Sequence, residues 1–322
     1  MDSDPGKKST PYLSDPAATR EVLTRFGLHA RKRYGQNFLI SPEIPGRLID
    51  GAGITPKDVV LEIGPGIGTL TQHLACAARH VIAVELDSGL LPVLSETLSG
   101  YDNVTVLHQD ILDTDIRALA REYSPDRPLQ VAANLPYYIT TPILLRLLDG
   151  RLPISRITVM VQREVAERMA AGPGSKAYGA LSLAVQYYSE VEIICDVPPS
   201  SFIPRPEVDS CVVSLSLGGE SGVPTDTEPG VPANSEPGTS DRADTDTLTP
   251  EEEAFLMSVV RDAFGERRKT LANALVSAHI VPDRQSAETA LLALGLDVRI
   301  RGEALTLRQY IDLSRELVKA RI

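Results

Sequence analysis

Apolar runs of five to nine residues alternate with amphipathic segments along the first two thirds of the chain. Runs typical of buried strands lie at 58–63, 81–85, 104–108, 129–133 and 154–162. The segment after each of these runs has the pattern of a helix. This alternation predicts an α/β fold, with an open and mainly parallel sheet covered on both faces. We expect the last two runs, 191–197 and 211–217, to pair antiparallel at the end of the sheet.

Changes in composition divide the chain into four segments. They are an N-terminal extension with one helix (1–28), a sheet domain (29–217), an acidic linker (218–250) and a small all-helical domain (251–322). In the extension, Asp15 is expected to cap a helix that has Pro16 at its first position. The linker is rich in Gly, Pro, Ser, Thr and acidic residues and has almost no large apolar residue, which predicts disorder.

The composition also narrows the possible classes of protein. No run approaches the roughly 18 apolar residues of a membrane span, and the N-terminus lacks the regions of a signal peptide. The cysteines Cys76, Cys195 and Cys211 form no CxxC pair and the five histidines have no ligand-like spacing, so we predict neither a disulfide nor a metal. We therefore expect a cytoplasmic protein with no membrane partner.

The net negative charge is concentrated in one stretch. The formal charge is −11, but ten acidic residues and one arginine lie between Gly218 and Glu253, so this stretch accounts for nine of those charges. The net charge of the whole chain therefore does not describe the surface outside this stretch, and it does not exclude a nucleic-acid partner.

Residues 134–137 read Asn-Leu-Pro-Tyr, directly after the predicted strand 129–133. The Asn134 amide oxygen and the Leu135 carbonyl could each accept a hydrogen from an adenine amino group, a weak nucleophile whose lone pair is delocalised into the ring. Pro136 stiffens the turn, and Tyr137 offers a face on which a flipped-out base can stack. An ordinary turn after a strand is the alternative interpretation.

A glycine turn follows the first predicted strand of the sheet. Gly64, Gly66 and Gly68 are spaced G-x-G-x-G, whereas a dinucleotide fingerprint would need its third glycine at position 69, which is Thr69. With Glu62 just ahead, this spacing suits a nucleoside that carries an amino-acid tail better than a pyrophosphate. Together with an acidic residue at the end of each of the next two predicted strands, it favours S-adenosylmethionine over NAD as the cofactor. A purely structural turn is the alternative interpretation of the glycines, and it would leave those two acids unexplained.

Two acidic residues end the next two predicted strands. Glu85, 21 residues beyond Gly64, could accept hydrogen bonds from ribose hydroxyls, and Asp110 could accept from an adenine amino group. Ligands of parallel sheets bind at the carboxyl ends of the strands. The glycine turn, both acids and Asn134 all fall at such ends, so we predict one shared site.

In order and spacing, these motifs resemble the ribosomal RNA adenine dimethyltransferase family, in particular its housekeeping KsgA/RsmA branch. The resemblance runs from about Arg31 to Leu217 and resumes at about Phe255. The segments that carry it are Arg33–Leu39, Glu62–Gly68, Glu85–Asp87, Asn134–Tyr137, Gly174–Gly179, Gln186–Tyr188, Phe202–Ser210 and Arg267–Leu271. The chain departs from the family pattern in Tyr34, where Phe is frequent, and in its longer acidic connection.

The resemblance implies a Rossmann-like methyltransferase sheet and a role for each matching residue. Asn37 and Leu39 would close over the methionine part of S-adenosylmethionine, and Gly64 would lie beneath it. Glu85 would bind the ribose, Asp110 the cofactor adenine, and Asn134 would lie between cofactor and target. Tyr137 and Phe202 would sandwich the target base.

The resemblance also implies a substrate and a partner. The substrate would be two neighbouring adenines near the 3′ end of small-subunit (16S) rRNA, each dimethylated on its exocyclic amine. The partner would be a pre-30S particle late in assembly, bound by a monomer of this chain.

Basic residues cluster in two places that could hold RNA. Arg31, Lys32 and Arg33 precede the sheet, and the residues expected on adjacent turns of one helix in the C-terminal domain are Arg261, Arg267, Arg268 and Lys269. A solvated helix face is the alternative interpretation, and RNA binding through these residues would depend steeply on salt.

Two other functions stay open at this point. One is a resistance-type methyltransferase that acts on large-subunit rRNA, although the Gly174–Tyr188 and Arg267–Leu271 segments favour the small subunit. The other is a non-catalytic ribosome assembly factor, which would leave the intact Glu85, Asp110 and Asn134 unexplained.

Overall fold

The computed structural model describes residues 12–28, 36–148, 152–217, 248–266 and 269–319. Within them the strands are β1 Phe38–Leu39, β2 Val59–Ile63, β3 His80–Glu85, β4 Val104–His108, β5 Leu129–Asn134, β6 Ile154–Gln162, β7 Ser189–Val197, β8 Phe202–Ile203 and β9 Ser210–Leu217. The helices are α1 Pro16–Arg25, α2 Glu43–Ala52, α3 Thr69–Ala77, α4 Leu91–Thr97, α5 Ile116–Tyr123, α6 Thr140–Leu147, α7 Arg163–Met169, α8 Ala180–Tyr188, α9 Pro250–Gly265, α10 Leu271–Ser277, α11 Arg284–Ala293 and α12 Leu307–Lys319. No helix in these ranges is both long and apolar enough to cross a membrane.

Seven strands form one sheet in the order β4-β3-β2-β5-β6-β9-β7. The pairs from β4 to β6 are parallel, and β9 pairs antiparallel with both β6 and β7. All five residues of β2 are buried, as a central strand with helices on both faces requires. The predicted mainly parallel α/β sheet with an antiparallel end is confirmed.

A second, two-stranded sheet brings together segments far apart in the sequence. In it β1 pairs antiparallel with β8, with Phe38 opposite Ile203 and Leu39 opposite Phe202. The Ile40 amide also donates to the Ser201 carbonyl at 2.8 Å. This pair was not predicted, because strands of two residues are too short to show an alternating pattern.

The N-terminal helix α1 begins at a side-chain cap and packs on the sheet domain through apolar residues. Asp15 caps α1 by accepting from the amides of Ala17 at 2.8 Å and Ala18 at 3.0 Å, which confirms the predicted start. Side chains of and around α1 share one apolar cluster with Phe38, Ile67 and Leu90. Helix α1 therefore packs against three residues that also line the cavity described below.

The chain forms two compact units. One consists of residues 1–167 and 188–217, and the other of 168–187 and 218–322. The apolar core of the second unit includes Tyr178 and Leu183 as well as residues of α9 to α12. Residues 168–187, which the composition assigns to the sheet domain, thus belong to the helical unit.

The basic cluster of the C-terminal unit does not lie on one helix. Helix α9 carries Arg261 but ends at Gly265, and Thr270 starts α10 by accepting from the Asn273 amide. Lys269 lies in the connection, so the expectation of a single helix is wrong. The physical reason is the capping threonine, whose extended backbone begins a new helix.

Candidate functional site

A cavity opens at the carboxyl ends of β2, β3, β4 and β5. The cavity has a volume of about 110 Å³, and it is open to solvent at its mouth. Its lining comes from β1 and the residues just before it, from the turns after these four strands and from the start of α6. The position agrees with the rule that such sheets bind ligands where their strands end.

The floor of the cavity is the glycine turn after β2. Gly64 and Gly66 have positive φ angles of 67° and 62°, a conformation that is strained for any residue with a side chain. The Gly64 amide donates to the Val84 carbonyl at 2.9 Å, which ties the turn to β3. A Cβ at Gly66 would lie 3.6 Å from the Phe38 ring, so the turn and β1 approach each other closely.

Glu85, at the end of β3, is held by backbone donors. Its Oε1 accepts from the Asp87 amide at 2.7 Å and its Oε2 from the Gly66 amide at 3.2 Å. Burial raises the pKa of this carboxyl group, and the two amides partly offset the rise. The carboxylate is therefore fixed in orientation and desolvated, which makes each further hydrogen bond to it stronger.

Glu62 is a buried acid with an unsatisfied oxygen. Its side chain is 1% exposed and lines the cavity, and Oε2 has no hydrogen-bond partner among the described residues. Burial raises the pKa of Glu62 to about 8; the nearby Thr71 hydroxyl partly offsets the rise, and the neighbouring Glu85 adds to it. Thr71 Oγ1 is not in hydrogen-bond geometry with Glu62, so Oε2 stays without a partner in the described part of the chain. A buried acceptor without a partner is costly, so the site favours a ligand that brings a cationic donor to Glu62.

Asn134 ends β5 with its amide already oriented. Its Nδ2 donates to the Asn37 carbonyl at 3.1 Å, so Oδ1 is left as the acceptor of this side chain. On the same rim, Asp110 Oδ1 accepts from the Leu112 amide at 2.9 Å. The contact between Asn134 and Asn37 also joins β5 to the segment before β1 across the cavity.

The turn after Asn134 is held from both sides. The Leu135 amide donates to the Met160 carbonyl at 3.2 Å. The Pro136 carbonyl accepts from Thr140 Oγ1 at 2.9 Å, and the Tyr137 hydroxyl lies 2.7 Å from Ser210 Oγ. Such a turn holds its acceptors and its ring in place before any substrate arrives.

Most of the predicted site residues lie around this one cavity. Those in its lining are Asn37, Leu39, Gly64, Glu85, Asp110, Asn134, Leu135 and Tyr137. Phe202 is not among them: its ring is 3% exposed and belongs to an apolar cluster with Leu39 and Val212. Its predicted contact with a target base therefore stays a prediction.

Sequence reasoning assigned no role to several residues of the lining. Gln36 donates from Nε2 to Asp87 Oδ2 at 3.1 Å, and Tyr138 lies at the mouth. Leu86 and Ile111 each directly follow one of the predicted acids and line the cavity too. Their positions next to strand-end acids are the signal that could have identified them.

Of the six predicted RNA-binding residues, the structure describes only Lys269. Arg31, Lys32, Arg33, Arg267 and Arg268 lie outside the described residues. Lys269 is exposed, and its Nζ lies 2.6 Å from Glu266 Oε2 and 3.1 Å from Ser277 Oγ. The partial pairing reduces its local positive charge.

Comparison with known proteins agrees with the geometry. The profile of the family described as "Ribosomal RNA adenine dimethylase" matches residues 27–223. A protein of Lachnoclostridium phytofermentans named ribosomal RNA small subunit methyltransferase A is 47% identical over 305 residues, which cover 94% of this chain and 97% of the relative.

Two solved structures are also similar. A dimethyladenosine transferase from Plasmodium falciparum matches with a TM-score of 0.64 and 26% identity, over 88% of this chain and 98% of that one. The 23S rRNA methyltransferase ErmE matches with a TM-score of 0.58 and 25% identity, over 88% of this chain and all of the other.

Proposed function

The chain belongs to the ribosomal RNA adenine dimethylase family, and on that premise we propose that it dimethylates the exocyclic amines of two adjacent adenines near the 3′ end of small-subunit rRNA. The observation that carries the proposal is the Asn134 amide, whose oxygen is left as an acceptor beside Glu62, Glu85 and Asp110 in one cavity. The relative that is 47% identical, named for the small subunit, supports this choice of rRNA.

The cofactor of this family is S-adenosylmethionine, and the residues of the cavity fit it. The unsatisfied Glu62 oxygen suits the ammonium of the methionine part, and the glycine turn allows the close approach that this part needs. Glu85 would accept from the ribose hydroxyls and Asp110 from the adenine amine. Leu86 and Ile111 would contact the faces of the adenine ring, while Asn37 and Leu39 close over the methionine end.

Glu85→Gln should raise the Kd for S-adenosylmethionine about tenfold. The variant keeps the size of the side chain but replaces a charged acceptor of ribose hydrogen bonds with a weaker neutral one. Isothermal titration calorimetry of the cofactor measures the change. Glu96→Gln is a matched control, because Glu96 is an exposed acid that pairs with Arg25 and does not line the cavity. An unchanged Kd in Glu85→Gln would remove Glu85 from the cofactor site.

Bound S-adenosylmethionine supplies an electrophilic methyl group on a good leaving group. The protein then has to orient the adenine amine. The nitrogen becomes strongly acidic once it carries the methyl group and releases its proton to solvent, so no general base is required. Asn134 Oδ1 and the Leu135 carbonyl would accept the two amine hydrogens and pull the nitrogen toward a pyramidal shape. Orientation and these two dipoles provide the rate enhancement. In the second round one hydrogen has been replaced by methyl, so only one acceptor is used.

The target base needs a stacking surface at the same rim. Tyr137 provides one ring face, held by its hydroxyl contact with Ser210. Phe202 would provide the other face only after its ring leaves the apolar cluster around Leu39. We therefore propose that closure of a base sandwich involves the β1–β8 segment, and that RNA binding precedes it.

One assay tests the function directly. Labelled S-adenosylmethionine is incubated with the protein and undermethylated small subunits, and primer extension locates the methylated bases. Dimethylation of two adjacent adenines near the 3′ end is the expected result. Methylation of naked large-subunit rRNA instead would favour the specificity suggested by the similarity to ErmE. Binding to the particle without methyl transfer would favour an assembly factor.

The family also suggests where and on which particle the reaction takes place. We propose that the chain acts as a monomer in the cytoplasm, on a pre-30S particle late in assembly. The basic segments, with Arg31, Lys32, Arg33, Arg267, Arg268 and Lys269, would bind rRNA phosphates.

Deletion of residues 220–248 should leave methyl transfer within about twofold of the wild-type rate. The segment is rich in acidic residues and has almost no large apolar residue, and its residues 220–247 lie outside the described residues. Initial rates on small subunits measure the effect. The control is a replacement variant, which has a neutral Gly-Ser linker of equal length in place of the segment. It separates the effect of the segment's charge from the effect of its length. Loss of activity in the deletion variant would contradict dispensability, and the rate of the Gly-Ser variant would show whether charge or length is responsible.

A further inference from the structure

Tyr138 is a large aromatic residue at the mouth of the cavity. Its side chain is 55% exposed, and it lines the same cavity as Asn134 and Tyr137. Singly exposed apolar residues are common on protein surfaces, so exposure alone says little. The informative point is that this ring lies one residue beyond the tyrosine proposed to hold the target base.

The backbone that carries Tyr138 is held on both sides. Before it, the Tyr137 hydroxyl contacts Ser210 Oγ at 2.7 Å. After it, the Ile139 amide donates to the Pro136 carbonyl at 3.2 Å and Thr140 Oγ1 donates to the same oxygen at 2.9 Å. The backbone that carries the exposed ring therefore has little freedom left to lose, which favours binding of a flat partner.

The proposed substrate presents a flat group at this place. When one of two adjacent adenines enters the cavity, the base beside it loses a stacking partner and stays at the mouth. Aromatic side chains bind such unstacked bases in single-stranded RNA. We propose that Tyr138 stacks on the base next to the target adenine, and so positions the strand for methyl transfer. This inference rests on the proposed function.

The test combines protein variants with rRNA variants. Small subunits are prepared in which uridine, a poorer stacking base, replaces the neighbour of the target adenine on its 5′ or its 3′ side. Initial rates of methylation of that adenine are then measured for the wild-type protein, Tyr138→Ala and Tyr138→Phe. Leu145→Ala is the control, because Leu145 is 40% exposed on α6 and does not line the cavity.

We expect Tyr138→Ala to lower kcat/KM about tenfold on the unmodified sequence, with the Kd for S-adenosylmethionine within about twofold of wild type. Uridine on one of the two sides should slow the wild-type protein and Tyr138→Phe about threefold, but should not slow Tyr138→Ala further. Leu145→Ala should match the wild type throughout.

Three results would overturn the inference. The first is that Tyr138→Ala methylates at the wild-type rate. The second is that uridine slows Tyr138→Ala as much as it slows the wild-type protein. The third is that the Kd of Tyr138→Ala for S-adenosylmethionine is raised tenfold or more. If the wild-type protein itself methylates no adenine on small subunits, the proposed function fails instead, so the two failures are distinguishable.

Discussion

Asn134→Ala should lower kcat for methyl transfer by about 10²- to 10³-fold, the range seen when one oriented dipole is removed from a reacting group. The reason lies in the orientation of the amide: Nδ2 is held by the Asn37 carbonyl, which leaves Oδ1 to accept from the amine in the proposed mechanism. The loss should appear in kcat, because the acceptor matters most when the nitrogen becomes pyramidal. Single-turnover rates on small subunits, together with the Kd for the particle, measure it.

The control for this variant is Asn103→Ala. Asn103 also donates from Nδ2 to backbone carbonyls, those of Ala75 at 2.8 Å and Ala78 at 3.2 Å, but it does not line the cavity. Its loss should lower the thermal stability and leave kcat unchanged. A parallel fall in affinity for the particle in Asn134→Ala, as large as the fall in rate, would tell against the assigned role.

Glu62→Gln should have two effects of opposite sign. The cofactor-free protein should become more stable at pH 8, by several kcal/mol, and its Tm should rise accordingly. The Kd for S-adenosylmethionine should rise about 100-fold, because the variant removes the buried carboxylate that we propose as the partner of the cofactor's ammonium. Differential scanning calorimetry and titration calorimetry measure the two changes.

The sign of the stability effect follows from proton binding. The pKa of Glu62 is about 8 in the folded chain, against an ordinary value of 4.5, so between these two values the folded state holds a proton that the unfolded state has released. Stability from this group is fully present below pH 4.5 and is lost as the pH rises to 8. The gain in Glu62→Gln should therefore grow over that window and vanish below it.

The affinity for the cofactor should change with pH in the opposite direction. An ammonium favours the ionised carboxylate, so binding releases a proton and tightens between pH 6 and pH 8 in the wild type. The dependence should flatten in Glu62→Gln.

Asp58→Asn is the matched control for Glu62→Gln. Asp58 is 5% exposed, but it is satisfied by Arg127, with Nη2 to Oδ1 at 3.1 Å, and by the Thr55 amide at 2.8 Å. That variant should lose stability at pH 8, because its partners are left behind. A loss of stability in Glu62→Gln as well would mean that the carboxylate has a partner in solution.

Much of the sheet could be predicted because its strands are buried on both faces. A run such as Leu129–Asn134 has five buried residues in six, and such runs are visible without any partner. The site followed from the same logic, since Glu85, Asp110 and Asn134 each stand at or just beyond the end of a strand.

The parts that could not be predicted depend on distant segments. The β1–β8 pair joins Leu39 to Phe202, and nothing local to either residue indicates the other. Residues 168–187 belong to the helical unit because Tyr178 packs in its core. The sequence of an apolar segment does not indicate which of two cores the segment packs into. The oxygen of Glu62 without a partner is likewise visible only once its surroundings are known.

The discontinuous helical unit limits how the chain can be recombined. Tyr178 is fully buried, and its hydroxyl donates to the Leu305 carbonyl at 2.9 Å, while the Gly174 amide donates to the Glu303 carbonyl at 2.8 Å. A chimaera spliced once, after Leu217, would keep the donor side of both bonds from one parent and the acceptor side from the other. Exchange of this unit between homologues therefore needs two crossovers, one near residue 168 and one near 187, in addition to the junction at 217. A chimaera that takes only residues 218–322 from a homologue therefore has a helical core assembled from two parents.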